Sequence, residues 1–218
     1  ASSSSLVRWT AQRGSSTPAV AWSGTGSTGS ESAVKVVVAT VVHDHDDARI
    51  RHRQVASLLD AGDEVVYVAP EPTDGRSEPG ARLGFRTRYV PRAVGRRRLG
   101  ALVAARQILA EESRGADLTV LHDPELTLLD RWISGPVVFD VHEDLPAQIA
   151  DKEWIPWFLR LPLRSVARWI ERRAARRLSL VLAEEGYRDR LGDHVVVRNT
   201  PVVPVEVVPS VPGRVVHL

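Results

Sequence analysis

The sequence predicts an α/β protein with a Rossmann-like, doubly wound and mostly parallel sheet of about seven strands. Short valine-rich apolar runs recur along the chain, and amphipathic segments with helical spacing separate them. Hydrophobic residues make up 43% of the sequence and charged residues 26%, which is ordinary for a globular domain. Alternation of strands and helices favours a parallel sheet, because each parallel connection requires a crossover.

The predicted strands share β-branched or apolar runs that end in polar or turn-forming residues. They cover residues 33–42, 64–70, 85–90, 117–122, 136–140, 178–183 and 194–199. The first run, AVKVVVATVV, is apolar enough for a strand that is buried on both faces. The proline-rich and glycine-rich segment 70–84 is predicted to be a loop.

Helices are predicted between these strands wherever apolar residues recur at helical spacing. The segment 46–61 has this pattern, and Gly62 stands where a C-cap glycine belongs. The segment 99–112 has it as well, and a short helix is expected before the strand at 136–140.

Composition divides the chain into three parts. Residues 1–33 form a serine-rich and glycine-rich lead-in that we expect to be disordered. Residues 34–200 form the Rossmann-like domain. Residues 201–218 begin with a proline-rich linker and end in GRVVHL, which predicts the first strand of a further domain. The sequence has no methionine, and we expect it to be part of a longer protein.

Several classes of protein are excluded by composition. The sequence has no cysteine, which excludes disulfides, thiolate metal sites and cysteine nucleophiles. No apolar window approaches the length of about 18 residues that a transmembrane helix needs. The lead-in lacks the apolar centre of a secretory signal, so we expect a cytoplasmic protein, and a place at the inner face of the membrane stays open.

Histidine and acidic residues follow three of the predicted strands. The first strand ends in His43-Asp44-His45-Asp46-Asp47, the fourth in His122-Asp123-Pro124-Glu125, and the fifth in Asp140-Val141-His142-Glu143-Asp144. In a doubly wound sheet the first and fourth strands flank the point where the strand order reverses, and ligands bind outside the carboxyl ends there. The three clusters therefore predict one functional cleft.

Helix capping and metal binding are alternative roles for these clusters. Asp46, Asp123 and Asp144 each precede a predicted helix and could serve only as N-caps. The first cluster also has ligand types suited to a metal ion, although successive residues of an extended segment point in opposite directions. A dinucleotide site is disfavoured because the turn after the first strand, VVHDHDDARI, has no glycine.

Four motifs in order resemble the amino-terminal half of family 4 glycosyltransferases. They are HDHDDARIRHRQVASLLDAGDEVVYVAP, LHDPEL, VVFDVHEDLPAQIADKEWIP and VVVRNTP. The likeness extends from about Val34 to the chain end, and LHDPEL and FDVHEDLP are its most specific parts. It implies one half of a two-domain GT-B architecture, which binds the acceptor while the other half binds a nucleotide-sugar donor.

The resemblance also implies roles for individual residues. His142 is expected to face the donor sugar and the reacting centre, and Glu143 to orient His142 or the following helix. The residues expected to bind substrate are His43, Asp47, Arg49, His122, Asp123, Glu125, Asp140, Lys152 and Asn199. The implied reaction is retaining and uses no metal and no cofactor besides the nucleotide sugar, in bacterial polysaccharide or glycoconjugate biosynthesis.

The family's E-x7-E donor element has no strict match here and would lie in the second half. We therefore expect this chain to be inactive alone. The implied partners are a nucleotide sugar and a saccharide or lipid-linked acceptor.

An arginine-rich amphipathic helix is predicted over 162–178. Its inward face is expected to be Leu163, Val166, Ala167, Ile170, Ala174 and Leu178. Arginine recurs every four residues from Arg160, and Trp154 and Trp157 precede the helix, a pattern typical of a peripheral anchor on an anionic membrane. Alternatively, the helix packs on the sheet and its arginines simply face solvent. We expect no nucleic-acid binding, because no reading motif accompanies the basic spot at Arg96–Arg98.

Two other functions remain open. The chain could be a non-catalytic α/β binding module, or a metal-dependent hydrolase that uses the histidine and acidic clusters.

Overall fold

The structure is a computed structural model that describes residues 33–72, 84–153 and 155–198. The predicted lead-in, most of the loop 70–84, Trp154, Asn199 and the predicted linker 201–218 lie outside the described residues. None of the described helices has the length and apolar character needed to cross a bilayer.

Seven strands form one sheet in which every pairing is parallel, as the sequence predicts. The strands are β1 Lys35–Ala39, β2 Glu64–Pro70, β3 Phe85–Val90, β4 Leu118–Leu121, β5 Val137–Val141, β6 Ser179–Leu182 and β7 Val195–Val196. Their order is β3-β2-β1-β4-β5-β6-β7, so the order reverses between β1 and β4. This is the doubly wound arrangement, and its crevice lies at the carboxyl ends of β1 and β4.

Helices and short helical turns connect the strands. The helices are α1 Ala56–Asp60, α2 Arg98–Glu112, α3 Leu145–Asp151, α4 Trp157–Arg177 and α5 Arg188–Leu191. Turns of 3₁₀ type occupy Gly95–Arg97, Ser113–Gly115, Pro124–Trp132 and Glu185–Tyr187, and a wider helical segment, Ile50–Val55, leads into α1.

Successive β1 side chains point to opposite faces of the sheet, and a buried hydrophobic layer covers each face. Val37 and Ala39 pack in one layer, which contains the buried alanines of α2 and Ala174 of α4. Val36 and Val38 pack in the other layer with Ile50 and Val55. The two layers hold the strands rigidly, so the loops at their carboxyl ends leave the core from fixed positions.

The first helical region begins at Ile50, later than the predicted start at residue 46. Asp47 causes the delay, because its Oδ1 accepts the backbone N–H groups of Arg49 and Ile50 at 2.8 and 2.9 Å. Some hydrogen bonds then run from a backbone N–H to the carbonyl five residues earlier, as from Gln54 to Arg49. This wide segment turns Arg49 and Gln54 toward the crevice.

The predicted inward face of the long helix is partly wrong. Helix α4 begins at Trp157 instead of residue 162 and buries Ala167, Glu171 and Ala174, whereas Leu163 and Val166 are exposed. Small side chains face inward because they let the helix approach the sheet closely. Glu171 stays buried because Arg190 of α5 donates a hydrogen bond to its carboxylate.

Replacing Tyr67 on β2 with phenylalanine should leave stability unchanged within about 1 kcal/mol, or raise it slightly. The Tyr67 hydroxyl is fully buried and has no hydrogen-bond partner among the described residues. The substitution therefore removes a polar group that loses its hydrogen bonds to water on folding and forms none in return. Burial also raises the pKa of its phenol. Urea denaturation measures the effect, and a loss above about 2 kcal/mol would show that the hydroxyl is bonded in solution.

Candidate functional site

The histidine and acidic clusters after β1, β4 and β5 meet at one edge of the sheet. Ring centroids of His43 and His142 are 4.9 Å apart, and those of His122 and His142 are 5.7 Å apart. Because β4 pairs with both β1 and β5, the three loops leave adjacent positions at the reversal of strand order. The predicted convergence of the three clusters is therefore confirmed.

Asp123 joins the loop after β4 to the end of β1. Its buried Oδ2 accepts hydrogen bonds from the Thr40 hydroxyl at 3.0 Å, from the Val42 amide at 3.2 Å and from the Val41 amide. Its Oδ1 lies 3.5 Å from His43 Nε2. Burial raises the pKa of Asp123, while the Val41 amide acts in the opposite direction. The side chain does not cap a helix.

Arg49 and Asp140 form a buried ion pair between the segment after β1 and strand β5. One guanidinium nitrogen of Arg49 donates to both carboxylate oxygens of Asp140, at 2.8 and 3.0 Å. Both side chains are largely buried, so each charge depends on the other for compensation. This pair fixes the Asp140 carboxylate beside the histidines.

His122 is a neutral imidazole enclosed by the protein. Burial lowers its pKa to about 3, and the nearby Asp140 charge only partly opposes this. Its Nε2 lies 2.7 Å from the Gln54 side-chain oxygen Oε1, and its Nδ1 lies 3.5 Å from Asp140 Oδ2. Because an amide oxygen can only accept, Nε2 carries the ring proton and donates it to Gln54.

Acid should destabilise the fold through His122. Unfolded histidine takes up a proton near its ordinary pKa of 6.5, whereas folded His122 does so only near 3, so between these values the unfolded state holds the extra proton. The free energy of unfolding should therefore fall by about 1.4 kcal/mol per pH unit from this residue as pH drops below about 6.5.

Urea denaturation at several pH values between about 7 and 5 measures this slope. His122→Gln should flatten it, and the exposed His52→Gln is the matched control. An unchanged slope in the His122 variant would show that His122 is protonated in the folded state.

The hydrogen bonds of His142 determine its tautomer. Its Nδ1 lies 3.2 Å from the backbone oxygen of Asp140, which can only accept, so Nδ1 carries the proton. Burial lowers the pKa of His142 and keeps the ring neutral. Its Nε2 is therefore an acceptor, and His43 Nε2, which lies 3.2 Å away, is the donor in that contact. The crevice thus presents a neutral imidazole with one basic nitrogen.

The remaining acidic residues of the clusters cap helices, lie near the histidines, or do both. Asp144 is an N-cap, since its Oδ1 accepts the Ala147 amide of α3 at 2.9 Å. Asp47 caps the first helical region in place of Asp46 and also lies 3.7 Å from His43 Nδ1. Exposed Glu143 has a carboxylate oxygen within 4.8 Å of nitrogens of His43 and His142. Asp144 therefore caps α3 and also lies 3.4 Å from Arg190 of α5, whereas Asp47 both caps a helical segment and contacts the site.

Three further residues were predicted to belong to the site. Glu125 pairs with Arg98 of α2 at 3.5 Å, although its charge still influences the Asp123 carboxyl. Lys152 follows the last residue of α3, roughly 12 Å along the helix axis from Asp144. Asn199 lies outside the described residues.

Two residues of the site were not predicted from the sequence. Thr40 is a polar residue inside a run of valines, and its hydroxyl both donates to Asp123 and accepts the His43 amide at 3.1 Å. Gln54 stands between Ile50 and Leu58 on the inward side of the first helical region. A polar residue at an otherwise apolar buried position is the signal that could have identified both.

Among the described residues, two sets of side chains have the spacing of metal ligands. In each set, one ligand atom per residue lies within 4.8 Å of the others: His43, His142 and Glu143 in the first, and His122, Asp140 and His142 in the second. The Arg49 guanidinium contacts both oxygens of Asp140, which places positive charge against the second set. Arg49 would therefore have to move before a cation could bind Asp140.

Taken together, the crevice has neutral imidazoles, carboxylates and a guanidinium held by hydrogen bonds between separate loops. Groups of this kind bind hydroxyls and other polar ligands at the switch point of doubly wound sheets. No protein-family model matches this chain, and no curated protein matches it.

Proposed function

We propose that this chain is the acceptor-side domain of a retaining GT-B glycosyltransferase that moves a sugar from a nucleotide-sugar donor to an acceptor hydroxyl. It acts in the cytoplasm together with a donor-binding domain. The observation that carries the proposal is the neutral His142, whose Nε2 is a hydrogen-bond acceptor at the switch point. The resemblance of LHDPEL and FDVHEDLP to the family motifs supports it.

The proposed chemistry needs polar groups that orient sugars. A bond forms between the acceptor oxygen and the anomeric carbon, the bond from that carbon to the diphosphate breaks, and the departing diphosphate takes up the hydroxyl proton. Positive charge develops on the sugar and negative charge on the diphosphate. Hydrogen bonds that strengthen as these charges develop lower the barrier.

The residues around His142 have supporting roles in this proposal. Neutral His142 accepts a hydrogen bond from a sugar hydroxyl at Nε2, in exchange for its contact with His43. Arg49 and Asp140 hold the β5 end in place, and Asp123 positions the loop that carries His43. Lys152 and Asn199 are proposed to contact substrate only through the family resemblance.

The test uses the natural full-length protein with a panel of nucleotide sugars and measures nucleotide release with and without saccharide or lipid-linked acceptors. Acceptor-dependent release, with the anomeric configuration of the donor kept in the product, is the expected result. Binding of a saccharide without release from any donor would favour a non-catalytic binding module instead.

A metal-dependent hydrolase is the second candidate, favoured by the close ligand atoms of His122, Asp140 and His142. It predicts that zinc or manganese binds stoichiometrically and raises the thermal midpoint of the protein. His142→Ala should then abolish that rise. A midpoint that does not respond to either ion would eliminate this candidate.

A further inference from the structure

Helix α4 exposes large apolar side chains in its first turns. Trp157 is 82% exposed, Phe158 59% and Leu161 69%. Successive helical residues are about 100° apart, so Phe158 lies on the side away from the buried Glu171, and Leu161 lies on the flank between these two positions. Trp169, about three turns beyond Phe158, also lies on the far side and is 53% exposed. The sheet therefore accounts for one face of α4 and leaves a second apolar face uncovered by the described residues.

The same helix carries a high positive charge. Its 21 residues include Arg160, Arg164, Arg168, Arg172, Arg173, Arg176 and Arg177, with Glu171 as the one acid, so the formal charge is 7 − 1 = +6. Arg173 and Arg177 are paired with Asp130. Arg172 and Arg176 are exposed beside the apolar side chains, and no carboxylate among the described residues forms an ion pair with them.

The first turns of α4, which carry the exposed apolar side chains, lie at the same edge of the sheet as the histidine crevice. The carboxyl end of α4 leads directly into the amino end of β6, so the helix starts at the opposite edge, where the parallel strands have their carboxyl ends. Its 21 residues span about 31 Å, whereas the five residues of β5 span about 17 Å. The first turns therefore extend beyond the rim of the sheet.

We propose that the exposed face of α4 binds the surface of an anionic lipid bilayer. Tryptophan, phenylalanine and leucine enter the boundary between headgroups and acyl chains, while Arg168, Arg172 and Arg176 contact lipid phosphates. Charge favours a membrane over a second copy of the chain, because two copies would bring the exposed arginines of α4 against each other, whereas an anionic surface neutralises them. This inference is independent of the proposed glycosyl transfer.

Cosedimentation with vesicles tests the proposal in the absence of any sugar donor. The probe is vesicles of equal parts phosphatidylcholine and phosphatidylglycerol, compared with phosphatidylcholine alone. Binding should require the anionic lipid and weaken as salt is added. The double variant Arg172→Gln/Arg176→Gln should reduce the partition coefficient roughly 30-fold, and Trp157→Ser/Leu161→Ser should reduce it by about as much.

Matched controls come from α2 and the turn before it, which also expose apolar and basic side chains. Leu99→Ser and Arg96→Gln/Arg97→Gln should bind vesicles as the parent does, and circular dichroism checks that each variant is folded. No sedimentation at low salt, or equal binding by the α4 variants, would overturn the proposal. A dimer in analytical ultracentrifugation that Trp157→Ser/Leu161→Ser dissociates would overturn it too, by assigning the face to self-association.

Discussion

Replacing His142 with alanine in the full-length protein should lower kcat for sugar transfer by about 10²–10³. In the proposed reaction, the basic Nε2 of this neutral ring bonds a sugar hydroxyl while charge builds up at the anomeric carbon. Alanine removes that bond and leaves His43 Nε2 without its acceptor. Because the interaction strengthens toward the transition state, kcat should fall more than KM rises.

Steady-state nucleotide release measures the loss, and His194→Ala is the matched control. His194 immediately precedes β7, the outermost strand of the sheet, and β6 lies between that strand and β5, which leads into His142. His142→Gln should recover part of the activity, because a side-chain amide can supply an acceptor. Turnover by His142→Ala equal to that of the parent would remove His142 from the mechanism.

Asp123→Ala should cost about 3–5 kcal/mol of unfolding free energy. The carboxylate is buried and accepts the Thr40 hydroxyl and two backbone amides, so its removal leaves these donors without partners inside the protein. Asp123→Asn keeps one acceptor oxygen and should lose less than half as much.

Urea denaturation compares these variants with Asp46→Ala. Asp46 belongs to the neighbouring cluster, but its side chain is exposed and forms an ion pair with the exposed His52, so its loss should cost less than about 1 kcal/mol. Similar losses for Asp123→Ala and Asp46→Ala would show that Asp123 does not hold the two loops together.

The sheet and the place of the site could be predicted because both follow from simple periodicity. Valine-rich runs alternating with helical patterns allow few topologies, and a parallel doubly wound sheet brings the ends of β1, β4 and β5 together. The prediction therefore needed only the positions of His43, His122 and His142 relative to the strand ends. It did not require any side-chain geometry.

The partners of those residues could not be predicted, because they depend on distances across the fold. Gln54 reaches His122 only through the wide turns that begin the first helical region, and Thr40 looks like any other residue of a buried strand. The inward face of α4 was also ambiguous, since apolar residues occur on both sides and only close packing selects Ala167 and Ala174 as the buried ones.

The polar contacts at the crevice have a mechanical consequence. Strands β1–β3 and β4–β7 are two halves of one sheet that meet along a single backbone ladder. The hydrogen bonds of Thr40 with Asp123, of Arg49 with Asp140 and of Gln54 with His122 each cross from one half to the other, so the polar groups of the crevice also hold the two halves together. A ligand that replaces one of these hydrogen bonds would therefore weaken the contact between the two halves of the sheet that form its binding site.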